Sequence, residues 1–214
     1  MHVSINPTEL LVPVRWVAAV LLAALLAGGC SNPTSGPEGT AVIWLEAQAA
    51  RDVDTLYGLL DGPDRARFET LHKTLVASAA LIEKAIPSAE SAAAHAAIGT
   101  DVLSQGTDPQ DGPADPKALF AQLLGQSGEA VKLSTTERWG IRPRTTAARD
   151  GATLVTTWGG DSVLVVEIGD AFTVRLDPDD SARLDALLAT AGSNHARLSQ
   201  LQQTRQRQRF GASR

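Results

Sequence analysis

Between about residues 38 and 125 the apolar side chains recur at steps of three and four, and from about residue 130 to 176 they alternate with polar ones. The first period belongs to helices with a buried face, the second to half-buried strands. Ser35-Gly-Pro-Glu38 has the spacing of a capping box and Pro37 suits a first helical turn, so a helix is predicted to about Arg51. Its Ala41, Val42, Ile43, Trp44, Leu45 and Ala49 cover most of its circumference, which implies burial on more than one side. Asp52 can cap a short second helix bearing Val53, Leu56, Tyr57 and Leu60, before the turn Asp61-Gly62-Pro63. A third helix starts near Pro63 and carries the stripe Phe68, Leu71, Leu75, Ala79, Ile82, Ile86 until Pro87. Ser88 caps an alanine-rich helix that Gly99 stops, and residues 105–116 read as a loop. Asp115-Pro116 opens another helix, with Leu119, Phe120, Leu123 and Leu124, which ends at Gly125.

Beyond Ala130, β-rich segments are predicted near 131–139, 141–147, 152–158, 162–168 and 171–176. Asp150-Gly151 and Gly169-Asp170 are tight turns, and Trp158-Gly-Gly-Asp161 is a looser connection. After Pro178, Asp180 can cap a last helical region with a face of Leu184, Leu187 and Leu188, interrupted near Gly192 and resumed from Asn194 to about Arg209. A block of helices followed by a curved antiparallel meander and a C-terminal helix is an α+β fold. The predicted organisation is a leader at 1–29, a tether at 30–37, one α+β domain at 38–192, and a helix with a basic tail at 193–214.

The leader carries the one motif of high specificity. Residues 16–29 are uncharged, follow Arg15, and end in Leu26-Ala27-Gly28-Gly29-Cys30, which holds the sole cysteine. The apolar run is shorter than the roughly 18 residues a spanning helix needs. Small side chains before the cysteine let an extended backbone enter a peptidase site, and a thiol can take a diacylglyceryl group. The pattern resembles the lipobox of bacterial lipoproteins. That resemblance implies cleavage between Gly29 and Cys30, acylation of Cys30, and a place in the cell envelope, with Ser31 after the cysteine implying the outer membrane, facing periplasm or surface. A multiply acylated cysteine holds a domain to a membrane through about 0.8 kcal/mol per buried methylene, and SNPTSGPEG after it reads as the tether.

Charge narrows the partners. Lys and Arg number 19 against 24 Asp and Glu, for a formal net charge of -5, which argues against nucleic acid. The C-terminal stretch is the exception, with Arg197, Arg205, Arg207, Arg209 and Arg214 and no acid from residue 196 onward. With Cys30 acylated, no thiol remains for a disulfide, a metal or a nucleophile.

Two segments suggest a fold family. AVIWLEAQAARDVDTLYGLLD at 41–61 is similar to the opening helices of the nuclear transport factor two-like fold, also called cystatin-like in shorter forms. DGATLVTTW at 150–158 and VLVVEIGDAFTVRL at 163–176 resemble its last strands. The resemblance implies a cone between helices and sheet, which in such folds serves isomerases, dehydratases and binding domains alike, and it carries over no catalytic residue.

Searched for chemistry, the chain yields little. Trp44, Tyr57, Trp139 and Trp158 are the candidates for lining a pocket, and each is equally a core or boundary aromatic. Asp54 and Asp61 lie near Tyr57 in sequence, so acid/base work in the cone is one reading. His72, His95 and His195 are too far apart for a local metal motif, Asp108, Asp111 and Asp115 miss the alternate-residue spacing of a calcium loop, and neither a G-x-S-x-G nor an S-x-x-K motif is present. No cofactor or metal is expected and no catalytic residue is assigned. The leading expectation is a non-enzymatic envelope lipoprotein that binds an envelope protein or a small apolar ligand. The alternatives are an acid/base enzyme and a helical partner of an envelope complex.

Overall fold

The computed structural model describes residues 35–100, 103, 115–126 and 132–211, with side chains to residue 208. The leader with Cys30, most of the tether, the predicted loop up to residue 114 and the last residues of the basic tail lie outside these. The first helix, α1 (Gly36–Ala50), packs across the sheet and buries Ala41, Val42, Trp44 and Ala47. Its predicted capping box does not form. Gly36 enters the helix at φ +74° and the Ser35 side chain makes no cap bond. Asp52 does cap α2 (Val53–Leu59), accepting from the Thr55 N–H at 3.1 Å and its hydroxyl at 2.7 Å.

Helix α3 (Gly62–Ala85) buries Phe68, Leu71, Leu75, Ser78, Ile82 and Ala85. The predicted stripe had Ala79 and Ile86 where Ser78 and Ala85 are buried, and its other four positions are buried. The observed steps of three and four in strict alternation are a 3.5-residue repeat, the seam of a helix packed along another helix. Its partner is the last helix, α7 (Pro178–Gly211), whose Leu184, Ala191 and Leu198 are buried at intervals of seven. The two run in the same direction: Arg67 reaches Ser181 and Asp185, and eleven residues on Ser78 meets His195 at 3.3 Å. The interruption predicted near Gly192 is therefore absent, and α7 crosses the predicted domain boundary unbroken. A glycine inside a helix costs about 1 kcal/mol, which burial of Leu198 against α3 offsets. Nor does Asp180 cap α7. Asp177 does, accepting from the N–H groups of Asp179 and Asp180 at 2.9 Å each.

Helix α4 (Ser88–Ile98) has Pro87, not Ser88, at its cap position. Helix α5 (Pro116–Leu123) begins as read, with Asp115 accepting from the Ala118 N–H at 2.8 Å. The strand expected at 131–139 is a correction. Residues 135–140 form a helix, α6 (Thr135–Gly140), because Ser134 and Glu137 close a full capping box. The S-x-x-E spacing outweighs the local alternation there.

Four antiparallel strands follow, β1 (Pro143–Arg149), β2 (Ala152–Thr157), β3 (Ser162–Ile168) and β4 (Ala171–Arg175), in the spatial order β1-β2-β3-β4. Asp150 at φ +51° and Gly151 at φ +74° make the two-residue turn of the first hairpin, a conformation that favours Asp-Gly. Val155 pairs with Val163 and Val165 with Val174 on the face that enters the core, while Thr156, Ser162 and Arg175 lie on the more solvated face. The chain is thus α+β: helices, then an antiparallel meander, then a C-terminal helix.

Candidate functional site

The α3–α7 pair leaves a groove where the short helices α4 and α5 approach it. Leu71 and Leu75 of α3, Ile98 at the end of α4, Leu119 and Leu123 of α5, and Leu187 of α7 line a half-open space of about 320 Å³. It exists because the buried seam uses Leu184, Ala191 and Leu198, while Leu187 lies beside that seam and stays 41% exposed. The volume is at the lower end of the range of small-molecule sites, about 300–1,000 Å³. Arg183 stands at the rim and donates to the Leu123 carbonyl at 3.2 Å, satisfying an acceptor at the end of α5. Among the described residues Gln122 and Thr190 are the other polar side chains on the wall, and no acidic one lines it.

A second cleft, about 140 Å³, lies at one end of the sheet between Trp44, Gln48, Asp161, Arg175, Asp177 and Asp180. Burial pushes the Asp180 carboxyl up, and the neighbouring Asp177 charge pushes it the same way. A raised carboxyl in a cleft is one mark of acid/base chemistry. Here the volume is under half of what a ligand site needs, and Asp177 and Asp180 belong to the start of α7.

The four aromatics singled out from the sequence do not converge. Trp44 and Tyr57 are buried, and both meet Phe120 edge to face, at 6.4 and 5.5 Å between ring centres. Burial pushes the Tyr57 hydroxyl up, with Glu69 acting in the same direction. Asp54 and Asp61 are otherwise engaged: Asp54 pairs with Lys117, and Asp61 accepts from Arg175 and the Asp64 N–H. Trp139 and Trp158 are 56% and 61% exposed and line neither space, each lying under a guanidinium, Arg142 at 4.3 Å and Arg144 at 5.1 Å. A short backbone bond from the Gly159 N–H to the Gly140 carbonyl, 2.7 Å, brings these two corners together. A Cβ at position 159 would come within 3.2 Å of that carbonyl oxygen.

The histidines stay apart. His95 bonds the Glu83 carboxylate at 2.9 Å and the Thr100 hydroxyl at 2.8 Å, which locks the α3–α4 corner. Hydrogen bonds from His95 and then Ser91 hold the exposed Glu83 carboxyl below its ordinary value. Among the described residues no group of three or more His, Cys, Asp or Glu is placed to hold a metal, and no helix is long and apolar enough to cross a membrane.

Two features escaped the sequence reading. One is the groove, which no local pattern encodes because it arises where four helices meet. The other is the pair Asp61 and Asp64, 2% and 4% exposed, which ties the start of α3 to β4 and to Leu176 just after it. Their signal was present as D-x-x-D flanking Gly62-Pro63 at a helix start. No family model matches the chain, and neither does any curated protein or solved structure.

Proposed function

We propose that this chain is a bacterial envelope lipoprotein, anchored through Cys30, whose folded domain is a binding module that takes a small apolar ligand between α3, α4, α5 and α7. The observation that carries the reading is the groove itself, a concave apolar surface built by four helices and half open among the described residues. The anchor rests on the lipobox pattern around Cys30. The likeness to the nuclear transport factor two-like fold is kept as a proposal on the element order, helices first and then the meander with α1 laid across it.

Thr190 is exposed, lines the groove and is not a buried seam position of α7, so Thr190→Trp fills the space from its open side. The neutral dye Nile red is expected to bind the full chain and to lose most of that signal in Thr190→Trp. Equal emission from both proteins would remove the groove as a ligand site. The anchor has its own readout. Cys30→Ser is expected to abolish the mass increase of acylation and leave the leader uncleaved, and a variant that is still acylated or normally processed would defeat it.

A further inference from the structure

We infer that the ligand of this groove is a single-chain amphiphile with an anionic head, the tail lying on the leucines and the head meeting Arg183. The inference rests on the groove being a binding site and adds the chemical class of what fills it.

The apolar wall fixes the tail. Leu71, Leu75, Ile98, Leu119, Leu123 and Leu187 come from four helices, and an unbranched chain gains from each as it leaves water. The head is set by charge. Among the described residues Arg183 is the only charged side chain on the wall, and it makes no ion pair with another of them. Asp180, one turn earlier on α7, feels the Arg183 charge without bonding to it. Of the five guanidinium donors, one N–H serves the Leu123 carbonyl, which positions the group at the rim and leaves the others for a carboxylate. No acid among the described residues lines the wall, so the nearest competitor for Arg183 is Asp180, which does not bond to it. Head and tail requirements thus meet at one rim, with polar Thr190 and Gln122 beside them.

The test compares 11-(dansylamino)undecanoate with its methyl ester on the full chain, on Arg183→Gln and on Thr190→Trp. The anion is expected to bind more tightly than the ester, and Arg183→Gln is expected to weaken the anion roughly tenfold while leaving the ester unchanged. Thr190→Trp should remove both. If anion and ester bind alike and Arg183→Gln weakens neither, the anionic head is wrong and the groove stands. If Arg183→Gln weakens both equally, its role is to hold α5 through Leu123, and the inference also falls. Failure of both probes on the wild-type chain overturns the groove reading itself. Urea unfolding of each variant accompanies the titrations, so that a loss of binding is credited only to a folded protein.

Discussion

Phe120→Ala is expected to lower the unfolding free energy by about 4 kcal/mol. Phe120 is fully buried, and its ring meets Trp44, Tyr57 and Phe68 edge to face at centre distances of 6.4, 5.5 and 5.3 Å. Truncation removes those three contacts and opens a cavity where α1, α2, α3 and α5 come together. Because α5 has only eight residues and holds its place through Leu119, Phe120 and Leu123, the wall of the groove goes with it. Phe120→Leu, which keeps most of the volume, is expected to lose only about 1.5 kcal/mol. Urea denaturation monitored by far-ultraviolet circular dichroism measures both. A loss below about 1 kcal/mol for the alanine variant would mean that α5 is not an integral part of the core.

Asp64→Ala is expected to lose about 3 kcal/mol. One carboxylate oxygen of Asp64 accepts from Arg67 at 2.7 Å, and the other accepts from the buried Leu176 N–H at 2.9 Å. Alanine strands that N–H and removes one of the anion partners of Arg67, which retains Asp185 and Ser181. Burial pushes the Asp64 carboxyl above its ordinary value of 3.8, against the Leu176 N–H and Arg67, which hold it down. A raised carboxyl means that the folded state binds the proton more tightly than the unfolded state. The associated stability is complete below about pH 3.8 and is lost as the pH rises through the raised value. The wild-type advantage over Asp64→Ala should therefore widen as the solution is acidified from neutral toward pH 3.8. An advantage that narrows over that interval would mean that the ion pair with Arg67 outweighs burial. Either way, chemical denaturation at several pH values decides.

Short-range signals were the legible ones. Asp52, Asp115 and the Asp150-Gly151 turn do in the fold what their residue types do in isolation, because a cap or a two-residue turn is decided within four residues. Some local cap readings failed, at Ser35, Ser88 and Asp180, and the larger errors came where two local signals competed or where a distant partner decided. At 131–139 the alternation suggested a strand while Ser134 and Glu137 spelled a capping box, and the box prevailed. At Gly192 the local sequence favours a break, yet Ala191 and Leu198 are held against α3 from either side of it, and the helix continues. Among the candidate aromatics, Trp44 lies in the apolar run AVIWL and Trp158 at the Trp158-Gly-Gly-Asp161 connection, yet residue type left both as pocket candidates. Burial separates them completely, one in the core and one under Arg144 at the surface.

By itself the sequence determined the order of elements, the meander of the last three strands, most of the helix starts, and the lone cysteine at the end of an uncharged, mostly apolar stretch. These follow from periodicity and from bonds between near neighbours. Only the tertiary structure decided that α3 and α7 run side by side in one direction, that Asp64 and Arg67 fasten their starts, and that an apolar groove with one arginine opens beside their seam. The reason is physical: the groove is the space left between four helices whose wall residues run from Leu71 to Ala191, and no residue carries its distance to the others in its own identity.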